Sequence, residues 1–185
     1  MNDGLIPRRY AKALLEFAKP EGADARVYGL MLQLNASFEA EPALQQAVAN
    51  PFVSAADKTA LLTVAAGLDN GKSDPVFADF LKLLVERGRI DMIRSMALAY
   101  IDLYRRANNI FSVTVTSASP LNPDDLDRLK ALVARHLGSG ATLEFTDVVD
   151  PSLIGGFAIS VGNERLDASI ANELNQLRRQ ILSNS

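Results

Sequence analysis

Apolar side chains in the first 108 residues recur at intervals of three and four, which is the period of amphipathic helices. The first such segment is "IPRRYAKALLEFAK", and Pro7 opens it because the fixed φ of proline suits a first helical turn. A second segment runs from about Ala23 to Ala40. Pro42 opens a short third segment, which stops before Asn50. Short helices with small connections predict an antiparallel helical bundle.

Capping residues mark three further helices. Ser54 is predicted to be the N-cap of the fourth helix, and Gly67 ends that helix. Asp74-Pro75 opens the fifth helix, "VFADFLKLLVERG", and Gly88 ends it. Asp91 is predicted to cap the sixth helix, "MIRSMALAYIDLYRRAN".

The hydrophobic period changes to two near Ile110, which predicts strands in the rest of the chain. Three stretches alternate in this way: "FSVTVTSA", "TLEFTDVV" and "FAISVG". Asn122 is followed by Pro-Asp-Asp, which predicts a helix start, and this helix ends at Gly138. A closing helix is predicted from about Ala168 to Leu182.

These patterns together predict an α+β fold in two parts. The first part is a six-helix bundle over residues 1–105, followed by a linker at 106–110. The second part is a small β-α-β-β-α domain over residues 111–185.

Composition narrows the class of protein. Of 185 residues, 48% are hydrophobic and 22% are charged, which is ordinary for a globular chain. The absence of cysteine excludes disulfides, thiolate metal sites and cysteine nucleophiles, and it fits a reducing compartment. No apolar run is long enough for a membrane span, and the N-terminus lacks the apolar core of a signal peptide. A net charge of −3 and the lack of a basic stripe argue against nucleic-acid binding.

The stretch "DPSLIGGFAISVGN" contains a glycine pair, Gly155 and Gly156, directly before a predicted strand. A phosphate-binding loop needs glycines that lead into a helix, where backbone N–H groups and the helix dipole meet the anion. These glycines lead into a strand instead, and no third glycine or Gly-Lys-Ser/Thr follows. We therefore interpret them as a bend or bulge before a buried strand.

Other motifs that could carry chemistry have simpler explanations. The acids of "NPDDLD" lack the glycine and glutamate of a calcium loop, and they suit the positive end of a helix dipole. His136, near a helix C-terminus, has no nucleophile marked beside it by any motif. The basic pairs Arg105-Arg106 and Arg178-Arg179 lie at helix ends, where they complement the dipole. The sequence therefore predicts no catalytic residue, no metal site and no cofactor.

Two helices are more apolar than the surface of a bundle requires. At 100° per residue, the apolar residues of each span roughly 200°, against the ~100° stripe of a surface helix. In the first helix these residues are Tyr10, Ala11, Ala13, Leu14, Leu15, Phe17 and Ala18; in the fifth they are Val76, Phe77, Ala78, Phe80, Leu81, Leu83, Leu84 and Val85. Either both helices lie in the centre of the bundle, or they form an exposed apolar groove for a helix of another protein.

Four stretches of the chain resemble the delta subunit of bacterial F-type ATP synthase, the counterpart of the mitochondrial oligomycin sensitivity-conferring protein. They are "RRYAKALLEFA", "FLKLLVERGRIDMI", "VTVTSASPL" and "DPSLIGGFAISVGNERLDASIANELNQLRRQI". The last of these is the most specific, and the resemblance covers the chain from about Ile6 to Leu182.

The resemblance implies a binding role for both parts of the chain. The N-terminal bundle would hold N-terminal helices of the alpha subunits through the first and fifth helices, with Tyr10, Ala13, Leu14, Phe17, Phe80, Leu83 and Leu84 lining the groove. The C-terminal domain would hold the C-terminal ends of the b subunits, through the closing-helix residues Leu174, Leu177, Arg178 and Ile181. Gly88, Gly155 and Gly156 would be structural.

In that family the subunit is one link of the stator, and it is not catalytic. The resemblance therefore implies one copy per complex, a peripheral location on the cytoplasmic face of the bacterial inner membrane, and support of proton-coupled ATP synthesis. It implies no cofactor, no nucleic acid and no direct membrane insertion. Two alternatives remain open: a helical adaptor with an unrelated partner, and a phosphate-handling enzyme, which needs a nucleophile or metal cluster that the sequence does not show.

Overall fold

A computed structural model describes residues 4–68, 74–117, 119–138, 140–151, 157–162 and 164–165 of the protein. The chain divides into two compact units, Met1–Tyr104 and Arg105–Ser185. The protein is of mixed α+β class, as predicted, with helices in the first unit and a sheet in the second. No helix among the described residues is both long enough and apolar enough to span a bilayer.

The six helices predicted for the N-terminal part are all present. Their bounds are α1 Leu5–Ala18, α2 Asp24–Ala40, α3 Pro42–Ala49, α4 Ala55–Ala65, α5 Pro75–Glu86 and α6 Ile93–Ala107. Helix α6 reaches Ala107 and the first strand begins at Ile110, so the connection between them is shorter than the predicted linker at 106–110.

The side chain of Ser54 caps α4 as predicted, and the side chain of Asp74 caps the predicted start of α5. Ser54 Oγ accepts a hydrogen bond from the Asp57 N–H at 3.1 Å, at the start of α4. Asp74 Oδ1 accepts one from the Phe77 N–H at 2.9 Å, at the start of α5. Asp74 is also buried and forms an ion pair with Arg26 of α2. The ion pair thus ties the beginning of α5 to a second helix.

The prediction for Asp91 was wrong. Asp91 lies inside a 3-10 turn, Ile90–Met92, that precedes α6, and no side chain caps that turn. The backbone N–H groups of Met92 and Ile93 already donate to the carbonyls of Arg89 and Ile90. Because the turn itself satisfies these donors, the helix needs no side-chain cap here.

The core of the first unit comes mainly from α2, α5 and α6. Its largest fully buried side chains include Met31, Leu34, Phe38, Phe77, Leu81, Leu84, Ile93, Met96 and Tyr100. The Tyr100 hydroxyl donates to the backbone carbonyl of Asp24 at 3.1 Å. Burial, with a smaller contribution from the Asp24 charge, raises the pKa of Tyr100 well above its ordinary value. The hydroxyl therefore stays protonated and remains a donor inside the bundle.

The second unit has a four-stranded sheet and one described helix. The strands are β1 Ile110–Ser117, β2 Thr142–Val149, β3 Phe157–Val161 and β4 Glu164–Arg165, and α7 covers Pro123–Leu137. The order is β2-β1-β3-β4, with β1 parallel to β2 and antiparallel to β3. Strand β4 has only two residues and was not predicted. Its brevity explains this, because two residues show no hydrophobic period.

The core of the second unit lies between α7 and one face of the sheet. It contains Val113 and Val115 of β1, Leu129 and Val133 of α7, and Val161 of β3. The Asn122 side chain accepts from the Asp125 N–H at 2.9 Å, which confirms the predicted cap of α7. The predicted closing helix lies outside the described residues, and so do Gly155, Gly156, Leu174, Leu177, Arg178 and Ile181.

Candidate helix-binding groove

Helices α1 and α5 lie side by side in opposite directions and leave an open groove between them. Phe17, near the end of α1, and Val76, at the start of α5, line the same part of this groove. Ile6, at the start of α1, lies with Arg87 just past the end of α5. The apolar part of the groove has a volume of about 280 Å³ and is lined by Tyr10, Ala13, Leu14, Phe17, Val76, Asp79, Phe80 and Leu83.

Six of the seven residues predicted for this groove line it. Phe17 is 54% exposed, Leu83 is 38% exposed, and Ala13 is also exposed, so these three form the accessible surface. Leu14 and Phe80 are nearly buried and form the floor. Tyr10 is half-buried, at the point where the groove becomes polar.

Leu84 is not part of the groove. Its side chain is fully buried, so placing it on the wall was wrong. Leu84 follows Leu83 by one residue, and a step of about 100° around the helix turns it away from the open side and into the core. The wide apolar arcs of α1 and α5 thus divide into a buried part and an exposed part. Neither helix is simply central in the bundle.

The apolar groove continues into a basic region at one end. This region has a volume of about 430 Å³ and is lined by Ile6, Arg9, Tyr10, Ala13, Leu83, Arg87 and Arg89. Arg89 donates to the Tyr10 hydroxyl at 3.0 Å, and its guanidinium carbon lies 5.4 Å from the centre of the Tyr10 ring. Among the described residues, Asp79 is the only acid that lines the apolar part.

Gly88 allows the chain to turn back beside Tyr10. Its φ is +63°, in the left-handed region that favours glycine. The Gly88 N–H donates to the backbone carbonyl of Val85 at 3.0 Å, and the Arg89 N–H donates to that of Leu84 at 2.8 Å. This is the hydrogen-bonding pattern of a Schellman motif. Gly88, predicted to be structural, therefore ends α5 and brings Arg89 to the groove.

A second surface on α5 was not predicted. It lies between α4 and α5, has a volume of about 690 Å³, and is lined by Ala55, Ala56, Thr59, Ala60, Thr63, Val64, Ala78, Lys82, Val85 and Glu86. Small residues at a spacing of four on α4 are its signal in the sequence. This signal is weak, because small residues are equally suited to close packing of helices inside a bundle.

In the second unit, Arg105 has a more specific role than the dipole effect predicted from the sequence. Its guanidinium donates twice to Glu144 Oε2 of β2, at 2.7 and 3.1 Å. Both side chains are about two-thirds buried or more, so this ion pair is a structural contact within the unit. Within the described ranges, no three His, Asp or Glu side chains lie close enough together to hold a metal ion.

The fold and the groove define a class of protein: a two-unit α+β chain whose helical unit presents an exposed apolar groove. The family model "ATP synthase delta (OSCP) subunit" matches residues 6–181 of this chain. The chain belongs to this family.

Relatives and a solved structure agree with this assignment. The ATP synthase subunit delta of Bacteroides thetaiotaomicron is 35% identical over 182 residues, which is 98% of this chain and 96% of the relative. The organellar chromatophore subunit of Paulinella chromatophora is 33% identical, over 93% of this chain and 92% of the relative. A chain of the Toxoplasma gondii mitochondrial ATP synthase hexamer has a TM-score of 0.63 at 28% identity, and the match covers 95% of this chain and 97% of that one.

Proposed function

We propose that this chain is the non-catalytic stator subunit of an F-type proton-translocating ATP synthase. It links the top of the catalytic head to the membrane-anchored b stalk, so that the head does not rotate with the central stalk. One copy serves each complex, on the cytoplasmic face of the bacterial inner membrane. Its contribution to ATP synthesis is mechanical: it remains bound while the central stalk applies torque to the head.

The observation that carries this proposal is the exposed apolar groove between α1 and α5. Phe17 and Leu83 are large apolar side chains that remain open to solvent, although other apolar residues of both helices, such as Leu14 and Leu81, are buried in the core. An apolar groove between two helices suits the apolar face of an amphipathic helix. In this family's complex, the N-terminal helix of an alpha subunit is the natural occupant.

The second unit would hold the C-terminal ends of the b subunits. This part of the proposal rests on the family and on the sequence, since the predicted contact residues are Leu174, Leu177, Arg178 and Ile181. In the helix predicted from the sequence, their spacing of three or four would place three apolar side chains and one arginine on a single face. Such a face is suited to packing against a second helix.

Titration of the full chain with a synthetic peptide tests the groove. The peptide is the first 20 or so residues of the alpha subunit from the same organism, and binding is followed by calorimetry and by NMR shifts. We expect saturable binding, with the largest shifts at Ala13, Phe17 and Leu83. No binding, or shifts confined to α4, would contradict the proposal.

Co-purification from membranes tests the complete link. The tagged chain should carry both alpha and b chains, identified by mass spectrometry. Deleting residues 168–185 should remove the b chains and leave the alpha chains bound, because the two contacts are assigned to separate parts of the protein. If alpha is lost together with b, the assignment of one partner to each part is wrong.

A further inference from the structure

We infer that the groove recognises charge as well as apolar surface, and that its three arginines bind carboxylate side chains at one end of the incoming helix. This inference rests on the proposed function, since it concerns the same groove and the same helix. It adds a polar specificity contact, with Arg87 and Arg89 as the main determinants.

The apolar and basic regions form one continuous surface. Both are lined by Tyr10, Ala13 and Leu83, so a helix that covers these three residues touches both regions. From Ile6 to Phe17 the groove follows eleven steps of α1, which is about 16 Å, or three helical turns. An incoming helix of that length therefore places one end beside the arginines.

The charge at that end comes from the side chains rather than from helix dipoles. The N-terminus of α1 and the C-terminus of α5 meet there, and their dipoles have opposite signs and largely cancel. What remains is the positive charge of Arg9, Arg87 and Arg89. Among the described residues, no acid forms an ion pair with any of the three.

Tyr10 and Arg89 form a contact that is already ordered before a partner arrives. Arg89 donates to the Tyr10 oxygen at 3.0 Å, which leaves the Tyr10 O–H proton for an acceptor on the partner. The ring also restrains the guanidinium by a cation–π contact, at 5.4 Å from the ring centre. A carboxylate from the partner can accept from both groups, and little side-chain entropy is lost because Arg89 is already held.

The groove carries the opposite charge farther from the arginines. Asp79 lies on its wall, two helical turns before Arg87 on α5. A helix with carboxylates at one end and a neutral or basic opposite end therefore fits in one direction only. Reversing it would bring its carboxylates to Asp79, and like charges at close range are unfavourable.

Charge variants of the alpha peptide test this inference on the full chain. Two positions that border the apolar face of the peptide helix are changed to Glu, Gln or Lys. The changes are made first at one end of the peptide and then, in a second series, at the other end. At one of the two ends, we expect the Glu form to bind about three- to tenfold more tightly than the Gln form, and the Lys form more weakly. Raising the salt from 0.1 to 0.5 M should remove most of this difference.

Reversal of charge on the protein identifies the residues responsible. Arg87 is exposed and lies just past the end of α5. The Arg87→Glu variant should therefore fold normally, and it should bind the Lys form of the peptide more tightly than the Glu form. Lys82→Glu is the matched control, because it makes the same charge change on α5 but lines the surface facing α4. The control should leave the preference unchanged, which separates a local contact from a change in net charge.

Arg89→Lys and Tyr10→Phe separate the ordered contact from charge alone. Both keep the total charge, yet both should reduce the Glu preference, because each removes part of the hydrogen-bonded pair. If all peptide forms bind equally to the parent, or if Lys82→Glu acts like Arg87→Glu, this inference is wrong although the groove itself stands. If no form of the peptide binds, it is the proposed function that fails.

Discussion

The two surfaces of α5 differ in the size of their apolar side chains, and this difference does not follow their volumes. The surface facing α4 is the larger, at about 690 Å³, against about 280 Å³ for the apolar groove facing α1. Yet the larger surface is lined mainly by alanine and threonine, with Val64 and Val85 as its largest apolar side chains. The smaller one offers Phe17, Phe80 and Leu83.

Binding energy at helix interfaces comes from a few large apolar anchors in well-packed positions. The α1 side of α5 has such anchors, and a basic region adjoins them. The α4 side has Lys82 and Glu86, two charges of opposite sign on the same wall, which give no net preference for a charged partner. The difference favours the α1 side of α5 as the proposed binding surface, because the α4 side is apolar but lined mainly by small side chains.

The largest effect is expected when the groove is filled. Ala13 is exposed and lines both regions of the groove, so Ala13→Trp should block the alpha peptide with at least a hundredfold loss of affinity. Ala60→Trp is the matched control, since Ala60 is an exposed alanine that lines the α4 side. It should leave peptide affinity unchanged, as measured by calorimetry.

Thermal unfolding followed by circular dichroism should accompany the calorimetry, to check that both tryptophan variants are folded. Both tryptophan variants should unfold near the parental temperature, because both change an open surface. If Ala13→Trp unfolds the bundle, Ala13 belongs to the core. If it folds and binds at parental affinity while Ala60→Trp does not bind, the two surfaces of α5 have been assigned the wrong way round.

The next effect concerns the cap that positions α5 for both surfaces. Asp74→Ala removes a buried cap and the ion pair to Arg26, and should cost about 2–3 kcal/mol in the free energy of unfolding. Ser54→Ala, the corresponding change at the exposed cap of α4, should cost about 1 kcal/mol. Urea unfolding followed by helical signal gives both values.

Asp74→Asn separates the two roles of Asp74. Asparagine is an equally good N-cap, but it carries no charge for Arg26, so this variant should lie between the parent and Asp74→Ala. A loss equal to that of Asp74→Ala would mean that the ion pair, rather than the cap, holds the start of α5.

Removal of one anchor should have a smaller effect than filling the groove. Leu83→Ala should weaken peptide binding by about 1–3 kcal/mol, or five- to a hundredfold. Val64→Ala removes an exposed apolar side chain from the α4 side and should change affinity less than twofold. Equal losses in the two variants would show that the peptide does not distinguish the surfaces.

The sequence was sufficient for most of the helices, because their ends carry local signals. The caps at Ser54, Asp74 and Asn122 are each made by a side chain and a backbone N–H three residues further on, so a short window contains the whole interaction. Asp91 looked the same in such a window. The prediction of an Asp91 cap was wrong because the backbone after Gly88 forms a 3-10 turn. In this turn the N–H groups of Met92 and Ile93 already donate to backbone carbonyls.

The groove was predictable only in part, because it depends on contacts between distant residues. A wide apolar arc shows that α5 has more than one apolar neighbour, but only the packing of the other helices decides that Leu84 is inside and Leu83 is outside. The contact between Arg89 and Tyr10 joins residues 79 positions apart, and no local pattern marks it. The basic end of the groove was missed for that reason.

The smallest effect is expected at Gly88, which ends α5 and brings Arg89 to the α1 side. Its φ of +63° is unfavourable for alanine, although an added Cβ would meet no atom within 4 Å. Gly88→Ala should therefore cost about 1 kcal/mol in stability through the backbone alone, and Gly88→Asn should cost less, because asparagine tolerates this conformation. Urea unfolding again gives the values.

Gly29 provides the matched control for Gly88→Ala. It lies inside α2 with open space around its Cβ position and no positive φ, so Gly29→Ala should stabilise the bundle by up to about 1 kcal/mol. Opposite signs for the same substitution would show that the turn requires glycine. If Gly88→Ala is as stable as the parent and keeps its preference for the Glu peptide, Arg89 reaches Tyr10 without help from the left-handed turn.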